Sequence, residues 1–201
     1  LEVGPVTTDT RALEPGTCFV ALKGPNFDGH AFVADAFTRG ATTAIVDGGF
    51  ARTGAGRTAG KSQWGDVGLI AVDDTLRALQ DLAHAVRVAA GTRVIAITGS
   101  AGKTTTKDTI AAFLGVRFSV VKNKGNLNNH IGLPLSLMQL RSGPDVAVME
   151  LGMNHAGVIS TLMAIAEPDV RVWTNVGDAH LGFFASPDAI ADAKAEILER
   201  A

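Results

Sequence analysis

The sequence has few of the features that mark secreted or membrane proteins. It contains one cysteine, Cys18, which excludes an internal disulfide and suits a reducing cytoplasm. Because Cys18 lies in the apolar stretch 18–22, we expect it to be buried in the core rather than to act as a nucleophile. No apolar run approaches the ~20 residues of a membrane-spanning helix, and no signal peptide is recognised. We therefore expect a cytoplasmic protein without membrane insertion.

Charged residues are also sparse, and their signs nearly balance. They make up 19% of the chain, and 20 acidic against 18 basic residues give a net charge of -2. This balance provides no basic surface of the kind that binds nucleic acid or anionic membranes. With 201 residues, 46% of them hydrophobic, the chain can bury one large core or two modest ones. We predict two domains.

Short β-rich runs alternate with helical patterns along the chain, which is typical of βαβ units and a largely parallel sheet. Strands are predicted at 18–22, 42–47, 68–72, 93–98, 118–121, 145–150 and 169–174. Asp74 and Ser186 are predicted helix N-caps, Ser186 being followed by Pro187. We predict an α/β fold with a small N-terminal α/β domain at 1–90 and a second, mostly parallel-sheet domain at 91–201. The segment 48–66 lacks periodicity and is predicted to be a surface excursion.

The stretch AITGSAGKTTTK (96–107) predicts a phosphate-binding loop between a strand and a helix at about 103–114. Backbone N–H groups of such a turn and the helix N-terminus converge on one anion. In loops of this kind the lysine contacts the β- and γ-phosphates and the next hydroxyl ligates Mg²⁺. The strict Walker pattern requires glycine where this chain has Ile97, so the loop is a shorter G-x-x-G-K-T variant, and a chance glycine turn is the alternative. The candidate residues are Gly99, Ser100, Ala101, Gly102, Lys103, Thr104 and Thr105.

Further polar residues follow the predicted strands. Glu150 ends strand 145–150, where P-loop proteins hold their metal, although a solvated strand end is the alternative. The segment NKGNLNNHIGLPLSL (123–137) places four asparagines before an apolar helix, and their amides can donate and accept hydrogen bonds. A turn with an N-cap explains only one or two of them. ELGMNHAG (150–157) and TNVGDAHLGFF (174–184) each place a histidine just after a strand, where sites in α/β proteins lie.

Together these motifs resemble the bacterial Mur ligases. The resemblance rests on TDTRALEPGTCFVALKGPNFDGHAFVADAFTRGA, TGSAGKTTTKD, GNLNNHIGLPLSL, ELGMNHAG and TNVGDAHL…AKAEI, and it covers nearly the whole chain except 48–66. The asparagine cluster and GMNHAG resemble in particular the member that adds D-Ala-D-Ala. The resemblance implies a monomeric, ATP- and Mg²⁺-dependent amide ligase of peptidoglycan synthesis. Its substrates would be UDP-N-acetylmuramoyl-tripeptide and D-Ala-D-Ala, joined through an acyl phosphate, and its two domains would be a UDP-substrate-binding domain and a truncated P-loop ATPase domain.

The same resemblance implies roles for individual residues. Lys103, His180 and Lys194 would be catalytic. Thr104 and Glu150 would ligate one Mg²⁺, and His180 and Lys194 a second, with Lys194 carbamylated by CO₂ as in the family, because an ammonium has no lone pair for a metal. The implied substrate-binding residues are Asn126, Asn128 and Asn129 for the muramoyl-pyrophosphate part, Thr10, Arg11, Pro25, Asn26 and Phe27 for uridine, and Asn154 and His155 for the peptide or acceptor.

Some alternatives stay open. Asn154 and His155 could instead be structural, and the chain departs from the family pattern at Gly182 and Ala185, where glutamate and glycine are usual. A sister ligase that adds a diamino acid or extends folate with glutamate is one rival, and a P-loop binding module without ligase activity is another. The resemblance implies further domains beyond these 201 residues. We therefore expect residues 1–201 to be inactive in ligation by themselves.

Overall fold

The computed structural model describes residues 4–53, 55–56, 67–177, 182–184 and 186–199. It confirms the predicted α/β class, because helices alternate with strands that form two parallel sheets. The chain divides into two compact units, residues 1–79 and 80–201. In the described part of the chain, no helix is long and apolar enough to cross a membrane.

The first unit is built on a four-stranded sheet in which every neighbouring pair is parallel. Its strands lie in the order β1, β2, β5, β6, and their bounds are Val6–Thr7 (β1), Cys18–Val20 (β2), Thr43–Asp47 (β5) and Gly68–Val72 (β6). A small antiparallel hairpin pairs β3 (Lys23–Gly24) with β4 (Phe27–Asp28). The helices are α1 (Val33–Thr38) and α2 (Gly48–Arg52). Phe19, Val33 and Phe37 are buried in the core between sheet and helix, and Cys18 is buried as predicted.

The second unit holds another parallel four-stranded sheet, with strand order β10, β7, β9, β8. The strands are β7 (Arg93–Thr98), β8 (Val120–Lys122), β9 (Val146–Glu150) and β10 (Val170–Trp173). The helices of this unit are α4 (Lys103–Leu114), α5 (Gly132–Leu137), α6 (Val158–Ala166) and α7 (Pro187–Ala195). All five residues of β9 are buried, as expected for a central strand covered on both faces.

Helix α3 (Thr75–Ala90) contains the division between the two units. It begins as predicted, because the Asp74 carboxylate accepts hydrogen bonds from the N–H groups of Leu76 and Arg77 at 2.8 and 3.0 Å. In the second half of α3, Arg87 donates from Nε to the carbonyl of Ala166 at 2.8 Å. We retain residue 90 as the proposed domain boundary, since the chain turns there and enters the second sheet at β7.

The seven predicted strands and the predicted N-caps are confirmed, with strand ends shifted by at most two residues. Ser186 accepts a hydrogen bond from the N–H of Ala189 at 3.1 Å, and Pro187 is the first residue of α7. The reading of 48–66 as irregular is wrong at its start, because residues 48–52 form α2. There the Asp47 carboxylate accepts a hydrogen bond from the N–H of Phe50, a cap that outweighs the two glycines in the helix. Most of the rest of 48–66 lies outside the described residues.

Candidate functional site

Glycine or polar residues lie at the carboxyl ends of all four strands of the second sheet. In a parallel sheet the carboxyl ends of the strands lie along one edge. Strand β7 leads into Gly99, β8 into Asn123 and β10 into Thr174, while β9 ends in Glu150 itself. This edge therefore brings together segments that are far apart in the sequence.

The loop between β7 and α4 has the geometry of an anion cradle. Gly102, with φ of 76°, precedes α4, and no side chain caps the helix N-terminus. The first N–H groups of this twelve-residue helix are therefore available to an anion, which the helix dipole also favours. The Lys103 amine donates to the carbonyl of Gly99 at 2.8 Å, so this side chain folds back over the loop.

The segment after β10 holds this loop in place. Asn175 accepts from the N–H of Ala101 through Oδ1 at 2.9 Å, and its carbonyl accepts from the N–H of Ser100 at 3.1 Å. The Thr174 hydroxyl donates to the carbonyl of Ala101 at 2.7 Å. The Ser100 hydroxyl donates to the carbonyl of Gly177. These bonds fix the conformation of the loop.

Gly99 is required at its position, and its replacement gives the first testable prediction. Its φ is 151°, and a Cβ atom there would collide with the Thr174 hydroxyl that supports the loop. We expect Gly99→Ala to weaken ADP binding, measured by calorimetry, at least about tenfold. Gly91→Ala is the matched control, because Gly91 also has a positive φ, 64°, but has open space around its Cα. Equal ADP affinities in the two variants would contradict this reading of the loop.

Glu150 lies at the centre of the site. Its carboxylate accepts from the Thr104 hydroxyl through Oε2 at 2.7 Å and from the Asn128 amide through Oε1 at 2.8 Å. The Lys107 amine lies 3.9 Å from Oε2. Because Glu150 is only 3% exposed, the solvated strand end considered above is wrong. The carboxylate instead joins helix α4 to the asparagine segment.

The asparagines have separate tasks. Asn123 is fully buried, and its amide bonds to both backbone groups of Glu150 at 3.0 Å and to the carbonyl of Leu127 at 2.9 Å. Asn129 lies just before α5, and its side-chain oxygen accepts hydrogen bonds from the N–H groups of Ile131 and Gly132. Asn126 is exposed and accepts from the N–H of Asn128 through its carbonyl at 2.7 Å. The cluster is therefore partly a scaffold.

An open cleft of about 350 Å³ lies beside Glu150. It brings together six residues singled out from the sequence: Lys103, Asn128, Asn129, Glu150, Asn154 and His155. Asn126 is not part of its lining. The lining contains one positive and one negative side chain, three amides and two histidines beside the apolar Met153 and Val158, and this mixture suits a polar ligand. Asn154 and His155 are exposed in it. This position makes them available to a ligand.

Lys194 is a buried lysine on helix α7. The residue is only 1% exposed. Burial, and secondly the positive charge of Lys103, lower the pKa of the Lys194 amine to about 8. A larger fraction of the amine is therefore neutral near pH 7 than for an ordinary lysine. A neutral buried amine is a nucleophile.

Glu196 anchors the end of the segment that carries Lys194. Its carboxylate accepts from the N–H of Gly157 at 2.6 Å and from the N–H of Ser160 at 2.9 Å, so it caps the N-terminus of α6. An anion is favourable there because of the helix dipole. The cap joins the Lys194 segment to the end of the loop that holds Asn154 and His155.

His180 and Ala185 lie outside the described residues. Across the ranges that are described, no group of three or more His, Cys, Asp or Glu side chains is placed to hold a metal ion. Thr104 and Glu150, which the sequence predicts as metal ligands, do lie together.

The candidate residues of the first unit lie in two segments, a short 3₁₀ helix at Thr10–Ala12 and the β3–β4 hairpin. Arg11 is exposed and forms a bidentate pair with Asp9, with N···O distances of 2.9 and 2.7 Å. This pairing lowers the pKa of Asp9 to about 2. Thr10 is half-buried beside it. The β3–β4 hairpin exposes the other three residues, Pro25 and Asn26 in its turn and Phe27 at the start of β4.

Four residues of this site were not singled out by the sequence. Lys107, Asn123, Thr174 and Asn175 contact the candidate residues and were present in the quoted motifs, but without a role. A signal existed for Lys107 alone, because it follows Lys103 by four residues and so lies on the same side of helix α4.

Comparisons with known proteins agree with this architecture. The family described as "Mur ligase family, catalytic domain" matches residues 2–87, and "Mur ligase middle domain" matches residues 97–201. A similar protein is the UDP-N-acetylmuramoyl-tripeptide--D-alanyl-D-alanine ligase of Bacillus subtilis, 45% identical over 193 residues that cover 96% of this chain and 40% of that protein.

Two solved structures are also similar. MurF from Acinetobacter baumannii is 39% identical with a TM-score of 0.83, covering 97% of this chain and 40% of that one. MurF from Thermotoga maritima, solved in complex with ADP, is 34% identical with a TM-score of 0.81, covering 97% and 43%. The chain thus spans about two fifths of the length of these relatives.

Proposed function

The chain belongs to the Mur ligase family, and on that premise we propose that the full-length protein is an ATP-dependent, ADP-forming ligase that joins D-Ala-D-Ala to UDP-N-acetylmuramoyl-tripeptide in peptidoglycan synthesis. The observation that carries this proposal is the hydrogen bond from the Thr104 hydroxyl to the Glu150 carboxylate at the N-terminus of α4, the helix after the P-loop, which no side chain caps. The choice of substrates is supported by the relatives, which carry that activity in their names.

The loop residues fit a nucleotide. Gly99 and Gly102 keep the loop free of Cβ atoms where the backbone bends, and the N–H groups at the start of α4 are uncapped. Lys103 would leave the carbonyl of Gly99 and bind the β- and γ-phosphates, with the backbone of 99–105 around them. ATP supplies the phosphoryl group that turns a carboxylate oxygen of the tripeptide into a leaving group.

The Thr104–Glu150 pair also fits Mg²⁺. A hydroxyl has one hydrogen and two lone pairs, so Thr104 can donate to Glu150 and still offer oxygen to a metal. Oxygen is the ligand atom that Mg²⁺ prefers. We propose that this pair holds one Mg²⁺, and that His180 and a carbamylated Lys194 hold a second. The lowered pKa and the burial of Lys194 support the carbamate, since a neutral amine can attack CO₂.

The residues around the cleft would position the substrates. We propose that Asn126, Asn128 and Asn129 bind the muramoyl-pyrophosphate part, and Asn154 and His155 the peptide or the acceptor. Exposure of Asn154 and His155 in the cleft supports this assignment. Asn128 acts through its bond to Glu150 as well. For the uridine we propose Thr10, Arg11, Pro25, Asn26 and Phe27 of the first unit, where exposed Phe27 offers an aromatic face.

In the proposed reaction, a carboxylate oxygen of the tripeptide attacks the γ-phosphorus, and the bond from that phosphorus to the bridging oxygen breaks, releasing ADP. The amine of D-Ala-D-Ala then attacks the acyl carbon, phosphate leaves with the bonding electron pair, and the amine loses a proton. Lys103 and the loop N–H groups stabilise the charge that develops on the phosphoryl oxygens. The full-length protein is proposed to act as a cytoplasmic monomer. Because residues 1–201 span two fifths of the relatives' length, we propose that they do not complete the ligation alone.

Phosphate release by the full-length protein tests this function. The assay contains ATP, Mg²⁺ and UDP-N-acetylmuramoyl-tripeptide, with and without D-Ala-D-Ala. We expect release that depends on the dipeptide. Release that depends instead on a diamino acid, or on glutamate with a folate substrate, would assign the protein to a sister ligase. No release with any acceptor would favour a P-loop binding module.

A further inference from the structure

Lys107 is a buried charged residue for which the proposed reaction has no task. It lies one turn after Lys103 on α4, and its side chain is only 2% exposed. Its amine donates to the carbonyl of Asn123 at 2.9 Å and lies 3.9 Å from Oε2 of Glu150. Burying an ammonium is costly unless it is paired. The position therefore calls for an explanation beyond packing.

The neighbouring charges suggest one. Glu150 is the carboxylate to which Thr104 donates, and Lys107 forms an ion pair with the same oxygen. Lys103 is the first residue of the same helix, and its amine donates to the carbonyl of Gly99 in the loop. Lys103, Lys107 and the Glu150 carboxylate are therefore the charged groups that these contacts place at the strand edge. Two of these three charges are positive and one is negative.

We propose that Lys107 is a positioning residue that pairs with Glu150 and opposes binding of Mg²⁺ at Thr104 and Glu150 until nucleotide phosphates are present. The inference rests on the proposed metal and nucleotide site. A Mg²⁺ ion held by Glu150 would share this carboxylate with the Lys107 ammonium, which lies 3.9 Å from Oε2. Like charges at such distances in a buried site repel strongly. The phosphates of ATP supply the negative charge that offsets this repulsion.

The pairing also explains how the metal ligand is oriented. The Lys107 amine donates to the backbone carbonyl of Asn123, and the Asn123 side-chain amide is hydrogen-bonded to the N–H and the carbonyl of Glu150. The Lys107 amine therefore attracts the Glu150 carboxylate by its charge, and it supports the Glu150 backbone through Asn123. Loss of this support alone would weaken metal binding, whereas loss of the opposing charge would strengthen it. Whether metal affinity rises or falls when the Lys107 charge is removed therefore separates the opposing role from the supporting role.

The test is titration of the full-length protein with Mn²⁺, followed by electron paramagnetic resonance, without nucleotide. Lys107→Gln keeps a donor for the carbonyl of Asn123 but removes the charge, whereas Lys107→Arg keeps the charge. We expect Lys107→Gln to bind Mn²⁺ at least about tenfold more tightly than the unmodified protein, and Lys107→Arg to bind as weakly as the unmodified protein. The gained binding should disappear in the Lys107→Gln, Glu150→Gln double variant.

Lys122→Gln is the matched control, because it removes a lysine that pairs with Asp108 at the surface, at 2.8 Å. It should leave Mn²⁺ binding unchanged. Unchanged or weaker binding in Lys107→Gln would overturn the proposal. Should that variant not fold, tight Mn²⁺ binding by the unmodified protein without nucleotide, or by Lys107→Arg, would overturn it equally. A parallel titration with ADP tests the nucleotide site itself: failure to bind Mn²⁺ and ADP together would reject the proposed function, whatever the Lys107 variants show.

Discussion

Replacing Lys103 with alanine is expected to lower the ligase turnover of the full-length protein by about 10³-fold or more. Phosphoryl transfer depends mostly on positioning and on stabilising charge at the phosphoryl oxygens. In the structure, the Lys103 amine contacts the carbonyl of Gly99 in its own loop, and no carboxylate is paired with it among the described residues. Its removal should therefore cost little folding free energy, so that the lost turnover reports on catalysis.

The measurement is dipeptide-dependent phosphate release at saturating ATP, together with a thermal unfolding curve for each protein. Lys122→Ala serves as the control, since Lys122 lies on β8 and pairs with Asp108 away from the loop. The control should retain normal turnover. Turnover within a few-fold of normal in a correctly folded Lys103→Ala protein would remove the P-loop assignment and, with it, the proposed position of the phosphates.

The sequence was sufficient to predict features that depend on local order. The P-loop was found because strand, glycines, lysine and helix follow one another without interruption, and Asp74 and Ser186 could be recognised as N-caps beside their helices. Glu150 could be predicted at a strand end because a buried strand has a continuous apolar pattern. In each case the residues that carry the signal lie within a few positions of one another.

Other features depend on contacts between distant segments, and a local sequence pattern does not show such contacts. Lys107 lies in a helix of polar residues, where an exposed side chain would be expected. Its side chain is instead buried and donates a hydrogen bond to the carbonyl of Asn123, sixteen positions later. The support of the P-loop by Thr174 and Asn175 spans more than seventy positions. Short elements such as β1 and the β3–β4 hairpin have only two residues per strand, too few to show a period.

The burial of Lys194 could likewise not be seen from its helix, which reads as amphipathic and solvated. With the structure, the residue becomes the source of a second large expected effect. If its carbamate holds a metal, Lys194→Ala removes a negatively charged ligand and should lower turnover by at least about 10²-fold. A small carboxylic acid that enters the vacated space would replace the carbamate oxygens. We therefore expect acetate or formate to restore part of the turnover of Lys194→Ala.

Lys103→Ala provides the control for rescue, because a carboxylic acid cannot replace a missing cation, and its turnover should not respond to acetate. The carbamate can also be observed without any turnover, as an additional carbonyl resonance in the ¹³C NMR spectrum of the full-length protein equilibrated with ¹³C-bicarbonate. That resonance should be absent from Lys194→Ala and present in Lys103→Ala. Since the pKa of Lys194 is lowered to about 8, a neutral amine is available for attack on CO₂ near neutral pH. Normal turnover in Lys194→Ala, or a carbamate resonance that persists in it, would show that this lysine is buried for another reason.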